Sequence, residues 1–263
     1  KPTAVGQSAL ANQNFTTAVD TYNTGVGYFA GVNITTGVEN TLIGSLAGDA
    51  LTDADYNVAL GVAALGSDTK GSKSVAIGNS ALLRQNFTTA TDSFNVAVGY
   101  DSGSNITTAT HNTLIGSGAG DALTTGSSNV AVGYLALSSD DVGQHNVAIG
   151  RQALENLNIA TAANTYNTAV GSTAGQQLTT GTNNTLIGGL SGDALTEGDS
   201  NTAVGIAALS SDTLGERSTA IGQSALQNQN FTTETFTYNV AMGYNSGITV
   251  TTGVNNTILG AIA

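Results

Sequence analysis

The chain has 263 residues, of which 40% are hydrophobic and only 9% are charged, and its formal net charge is −12. Disordered chains are normally rich in charge and poor in apolar side chains, so this composition predicts a folded protein. The negative charge argues against nucleic acid and against an anionic membrane surface as partners. Cysteine is absent and no apolar run approaches ~18 residues, which excludes a disulfide framework, a thiolate metal site and membrane insertion by this segment.

A five-residue motif recurs from the first residues to the last. It reads Asn, Thr or Val, a small or aliphatic residue, a larger aliphatic residue or Met, and a closing glycine. The closing glycines are Gly6, Gly27, Gly44, Gly61, Gly78, Gly99, Gly116, Gly133, Gly150, Gly171, Gly188, Gly205, Gly222, Gly243 and Gly260. The step between them is 21 residues, then 17 residues three times, and this order returns every 72 residues. Self-similarity at a fixed short period is typical of a solenoid.

We interpret residues 1–263 as one repeat domain with super-repeats at 6–77, 78–149 and 150–221 and an incomplete one at 222–263. Helical repeats need about 33 residues, whereas a unit of 17 has room for short strands and turns. The motif is rich in Val, Ile and Thr and is bounded by Gly and Asn, as strands are. The predicted fold is an all-β, parallel β-roll or β-solenoid of about 15 coils, with strands about 4.8 Å apart.

Alternation along each short strand predicts which side chains share a face. We expect the residue before the closing glycine, such as Val26 or Ile43, to line the interior. The residue before that one is apolar in all fifteen coils and should then point outward. Soluble monomers rarely expose an apolar stripe of more than a few hundred Å², so another copy of the chain should cover it. The predicted subunit-facing residues are Leu42, Ala59, Ala76, Ala97, Leu114, Leu186 and Ile258.

Asparagine occupies the first motif position in twelve of the fifteen coils, the exceptions being Pro2, Ser74 and Ser218. Stacked asparagines form hydrogen bonds along the axis of repetitive β-structures. We therefore interpret this position as a structural ladder with no catalytic role. The ladder consists of Asn23, Asn40, Asn57, Asn95, Asn112, Asn129, Asn146, Asn167, Asn184, Asn201, Asn239 and Asn256.

The motifs SVAIG at 74–78, NVAVG at 95–99 and NVAIG at 146–150 resemble the YadA-like head repeats of trimeric autotransporter adhesins. Similar repeats occur in tail-fibre proteins of bacterial viruses. The resemblance covers the whole chain and implies a left-handed β-roll, three chains side by side, and an extracellular location on a bacterial surface or a virion. The coils of this chain are longer than those of the family, so the shapes of its turns do not carry over.

The 21-residue coils contain an insert that reads QNFTTAVDTY at 13–22, QNFTTATDSF at 85–94, LNIATAANTY at 157–166 and QNFTTETFTY at 229–238. Two interpretations remain open. The insert is either a longer loop held by two hydrophobic anchors or a row of receptor-facing side chains about 19 Å apart. The candidate loop contacts are Phe15, Tyr22, Phe87, Phe94, Tyr166, Phe231 and Tyr238.

No catalytic, cofactor-binding or metal site is predicted. Asp49, Asp121 and Asp193 recur in phase, but along one chain they are too far apart to share a metal ion. The chain has two histidines and no Ser-His-Asp pattern stands out. A band of basic residues, including Lys73, Arg151 and Arg217, recurs near the long coils, and either local ion pairs or contact with an anionic sugar would explain it.

These features predict a structural or adhesive extracellular fibre segment, a rigid trimeric β-roll that presents a receptor-binding surface and belongs to a longer fibre. Its partners would be copies of itself and a surface receptor, glycan or matrix component. One alternative is a bacteriophage tail-fibre shaft or receptor-binding module. Alternatives of another class are an ice-binding solenoid, suggested by in-phase pairs such as Thr35 and Thr36, and a sugar-cleaving fibre enzyme.

Overall fold

A computed structural model describes residues 1–15 and 20–263, so the middle of the first insert, 16–19, lies outside the described residues. The chain divides into two compact units, Lys1–Asn129 and Val130–Ala263. Each unit is a parallel β-solenoid, and the described residues contain no helix, which confirms the predicted fold class. Accordingly, the described part of the chain has no helix that is long and apolar enough to cross a membrane.

In the first unit one three-residue strand marks each coil, and neighbouring strands pair in parallel. These strands are β1 (Thr3–Val5), β2 (Thr24–Val26), β3 (Thr41–Ile43), β4 (Val58–Leu60), β6 (Val75–Ile77), β8 (Val96–Val98) and β9 (Thr113–Ile115). The register aligns equivalent motif positions, so that Leu42 lies beside Ala59. At the long coil, β5 (Gly71–Ser72) and β7 (Thr91–Asp92) form a small second sheet.

The second unit repeats this arrangement. Its main strands are β10 (Val130–Val132), β11 (Val147–Ile149), β12 (Thr168–Val170), β13 (Thr185–Ile187), β14 (Thr202–Val204), β16 (Thr219–Ile221), β18 (Val240–Met242) and β19 (Thr257–Leu259). β15 (Gly215–Glu216) pairs with β17 (Thr235–Phe236) at one long coil. At the other, a single parallel bridge joins Gln144 to Asn164.

The closing glycine is required by the backbone at its position. In every coil its φ lies between +122° and +144°, a region that residues with a Cβ rarely adopt. A Cβ on Gly44 would also collide with the carbonyl oxygen of Gly61 in the next coil. The strands stay short because left-handed residues lie on both sides of them, for example Glu39 (φ 57°) before β3 and Leu46 (φ 60°) after it.

The strand face that points into the core is the opposite of the predicted one. Leu42, Ala59, Ala76, Ala97, Leu114 and Leu186 are fully buried within a single chain, and Ile258 in the last strand is half-buried. The predicted subunit-facing assignment of these residues is therefore wrong. The residue before the closing glycine points outward instead, and Ile43, Leu60 and Met242 are 36%, 42% and 47% exposed. Alternation identifies the side chains that share a face, but it does not say which face is inside.

Side-chain volume explains why the central strand position faces inward. The coil is so narrow that a large residue in the strand needs a small one across the core. Leu42 packs against Gly31 and Gly48, where an added Cβ would lie 2.6 Å and 2.8 Å from its methyl groups. Where the strand carries Ala59 instead, Leu65 fills the corresponding space, and both side chains are fully buried.

A second core position alternates between apolar and polar side chains. Four residues after the closing glycine, the coils carry either glycine or leucine. Where they carry glycine, the residue seven places after the closing glycine is Ile, Leu or Val, such as Ile34 and Leu51. Coils with leucine there mostly carry a fully buried Asp or Gln, such as Asp68 and Gln85. Two coils with glycine are followed by two coils with leucine. The composition of the core therefore repeats every four coils, which is the 72-residue super-repeat.

The asparagine ladder is confirmed. The backbone N–H of Asn40 donates to Asn23 Oδ1 at 2.8 Å, and the backbone N–H of Asn57 donates to Asn40 Oδ1 at 3.0 Å. Asn40 Nδ2 donates to the carbonyl oxygen of Ala54 at 2.8 Å. Eleven of the twelve ladder residues are buried, and the last, Asn256, is half-buried. Amides such as those of Asn23 and Asn40 thus satisfy backbone groups that the narrow coil removes from water.

Candidate interaction surfaces

The outer face of the main sheet is apolar in both units. We call the residues that precede the closing glycines the outer column. Its members Ile43, Leu60 and Ile115 in the first unit are at least 36% exposed. So are Ile149, Ile187 and Met242 in the second unit. The Thr or Val two places earlier lies on the same face and is half-buried in most coils. An exposed apolar face therefore exists as predicted, but different side chains form it.

Aromatic and aliphatic side chains that directly follow the closing glycines widen this apolar band. Tyr28 and Tyr100 in the first unit are 49% and 60% exposed, and Tyr134, Ile206 and Tyr244 in the second unit are 53%, 58% and 51% exposed. Exposed apolar side chains beside an apolar sheet face indicate a candidate interaction site in a soluble protein.

The two hydrophobic positions of each insert have different roles. Phe87, Ile159 and Phe231 at the first position are 6–8% exposed. They are core anchors, so Phe87 and Phe231 are ruled out as candidate loop contacts, while Phe15 is half-buried. The second position is exposed: Tyr22, Phe94, Tyr166 and Tyr238 are 63%, 46%, 52% and 48% accessible. A partner could contact these four side chains, and also Phe236 of the fourth insert, which is 53% exposed.

Basic side chains of the preceding coil lie against these exposed rings. Lys73 Nζ lies 5.2 Å from the centre of the Phe94 ring and 2.5 Å from Asp92 Oδ2. In the second unit the Arg217 guanidinium lies 3.9 Å from the Phe236 ring centre and donates to Tyr238 Oη at 2.6 Å. These two members of the basic band thus take part in local pairs.

The same phase contains a further pair that the sequence reasoning missed. His145 occupies the position equivalent to Lys73 and Arg217, and its ring centre lies 5.2 Å from that of Tyr166. Lys1 shares this phase too. The 72-residue spacing was the available signal, because it places a basic residue one coil before the exposed aromatic residue that ends each insert.

A buried polar network lies beneath the long coil. Gln85 Nε2 donates to Asp68 Oδ2 at 2.6 Å and to Ser74 Oγ at 2.9 Å. Ser74 Oγ lies 2.5 Å from Ser93 Oγ, and Asn95 Nδ2 donates to Gln85 Oε1 at 2.9 Å. The equivalent network in the second unit consists of Asp212, Gln229, Ser218, Thr237 and Asn239. All of these side chains are buried, so they stabilise the coil and cannot meet a substrate.

One copy of this network is incomplete. Leu157 stands where the others have glutamine, and Asp140 Oδ2 is buried without a hydrogen-bond partner. Asp140 Oδ1 still accepts from the backbone N–H of Gly143 at 3.0 Å. Burial raises the pKa of the Asp140 carboxyl above its ordinary value, and backbone hydrogen bonds oppose this only in part.

The in-phase aspartates Asp49, Asp121 and Asp193 are half-buried. Burial raises the pKa of each carboxyl, again against the effect of backbone hydrogen bonds. Among the described residues there is no group of three or more His, Asp or Glu side chains that could hold a metal ion.

Comparisons with protein-family models, with curated proteins and with solved structures found no match to this chain.

Proposed function

We propose that the chain is a structural and adhesive segment of an extracellular fibre, on a bacterial surface or a virion, and that it functions as a side-by-side homotrimer. The observation that carries this proposal is the outer column, which leaves an aliphatic stripe on the main sheet of each unit. Burial of apolar surface contributes about 25 cal/mol per Å², so a repeated stripe provides a large driving force for association. A second copy of the same chain supplies a stripe with the same repeat.

The repeated coils suit a fibre because they combine a stable interior with a regular exterior. Strand pairing, the asparagine ladder and the core packing hold each coil against its neighbours within a unit. The exposed aromatic residues of the inserts then return every 72 residues. A receptor, glycan or matrix component that contacts several of them would bind with the advantage of multivalency.

Charge placed on the outer column tests the assembly. We expect the double variant Ile149→Lys/Ile187→Lys to be monomeric in sedimentation velocity, because two ammonium groups would have to be buried between chains. The matched control is Thr180→Lys/Ser200→Lys, which adds the same charge at exposed positions away from this column. The control should sediment like the unaltered chain. If both variants sediment alike, the outer column does not mediate assembly.

A further inference from the structure

The second unit contains a surface groove of about 440 Å³ beside the main sheet. Leu190 and Ile206 provide apolar walls and are 46% and 58% exposed. The remaining lining residues are Arg151, Ser172, Thr173 and Gly189. Thr173 Oγ1 donates to the carbonyl oxygen of Ser172 at 2.7 Å. Ligand sites are typically of this size and combine apolar walls with a few polar groups.

The groove results from two departures from the repeat. At the position of Ser172 the other super-repeats have Tyr28, Tyr100 and Tyr244. These tyrosines are all about half exposed, so an equivalent ring at 172 would occupy the groove. At the position of Arg151 the other super-repeats have Gln7, Asn79 and Gln223. The same super-repeat has thus lost a large side chain and gained a positive charge beside the space that this opens.

Arg151 provides an exposed positive charge beside the groove. Like Arg84 and Arg217, it forms no ion pair with any carboxylate of the described residues, although the chain has eighteen acidic residues. A guanidinium binds a carboxylate through two parallel hydrogen bonds, and partial exclusion of water strengthens the pair.

We propose that this groove binds an acidic sugar residue, a pyranose ring that carries a carboxylate, as part of a glycan. Arg151 would pair with the carboxylate, the Ser172 hydroxyl would form a hydrogen bond with a ring hydroxyl, and Leu190 and Ile206 would contact the apolar face of the ring. The groove contains no residue of the outer column and none of the exposed aromatic residues of the inserts, although Ile206 also belongs to the exposed residues beside that column. Failure to bind such a sugar would therefore leave the proposed fibre function unaffected.

The first test uses methyl β-D-glucuronide as the probe and the neutral methyl β-D-glucoside as its match, titrated into the full chain and followed by saturation-transfer NMR. We expect at least tenfold tighter binding of the glucuronide, with weaker binding at high salt. The variants Arg151→Gln and Ser172→Tyr install residues that other super-repeats carry, so both should fold, and each should weaken glucuronide binding at least tenfold.

A gain of binding in the first unit provides the second test. There Leu46 and Val62 occupy the positions of Leu190 and Ile206. The double variant Gln7→Arg/Tyr28→Ser should therefore bind two glucuronides per chain instead of one. The proposal is overturned if neither sugar binds, if both bind equally, or if Arg151→Gln leaves binding unchanged. It is also overturned if Ser172→Tyr changes the oligomeric state but leaves sugar binding unchanged. The groove would then contact another copy of the chain and not a sugar.

Discussion

At the scale of single residues, aspartates at equivalent positions of the repeat have different surroundings in the structure. Asp68 and Asp212 are buried with a glutamine that donates to them, whereas Asp140 is buried beside Leu157 with one oxygen unpaired. The repeat showed these aspartates to be equivalent, but sequence alone did not show that they are buried. That Asp140 Oδ2 lacks a hydrogen-bond partner could be recognised only after the structure had placed residues 140 and 157 in the core.

The first prediction concerns the pH dependence of stability at Asp140. Its pKa is raised in the folded chain, so its contribution to stability is complete below the ordinary carboxyl pKa and is lost as the pH rises through the folded value. We expect Asp140→Asn to raise the free energy of unfolding by about 1–3 kcal/mol at pH 7. It should give no gain at pH 3, as measured by urea denaturation at both values.

Asp212→Asn is the matched control for this substitution, because Gln229 Nε2 donates to Asp212 Oδ2 at 2.6 Å. In this variant the asparagine Nδ2 would face Gln229 Nε2, and both groups are hydrogen-bond donors. The variant should therefore be less stable than the unaltered chain at pH 7. Equal effects of the two substitutions at pH 7 would show that the missing glutamine does not matter.

The second prediction compares two glycines. Gly44→Ala should destabilise the first unit by more than about 3 kcal/mol, because it combines a strained positive φ with a collision against the carbonyl oxygen of Gly61. Gly189→Ala should be nearly neutral, since its Cβ would meet nothing closer than Ser172 O at 3.8 Å. Thermal unfolding of both variants checks this. A neutral Gly44→Ala would mean that the closing glycine is not conformationally required.

At the scale of elements, period and composition were sufficient to predict the β-coils, their number and the asparagine ladder. They were not sufficient to predict which strand face is inside. Leu42 and Ile43 are adjacent and both aliphatic, so only the volume of the coil and the glycines opposite Leu42 determine the choice. The strands are also short because turn residues such as Tyr56 adopt a left-handed conformation. No sequence motif predicts that conformation.

The third prediction tests the inward face directly. Leu114→Ala should lower the free energy of unfolding by about 2–5 kcal/mol, because Leu114 is fully buried and lies against Gly103 and Gly120. Its neighbour Ile115 is 40% exposed, so Ile115→Ala should cost clearly less in a urea titration at low protein concentration. The reverse order of the two effects would restore the original assignment of the faces.

At the scale of the whole molecule, two properties oppose each other. Each chain carries a net charge of −12, which repels its copies, and each unit carries an aliphatic outer column, which favours their association. Salt screens the repulsion over about 10 Å at 0.1 M. We therefore expect the association constant to increase between low and physiological ionic strength, as measured by light scattering at matched protein concentrations. A decrease with salt would indicate that attraction between charges holds the assembly together.

The most direct test of the central claim, that sister chains cover the outer column, is the mass of the chain in solution. Sedimentation equilibrium at micromolar concentration and physiological salt should give three times the chain mass of 26.2 kDa. A single species of 26.2 kDa under these conditions would show that the aliphatic face remains open to water, and would contradict the assembly and the fibre role proposed from it.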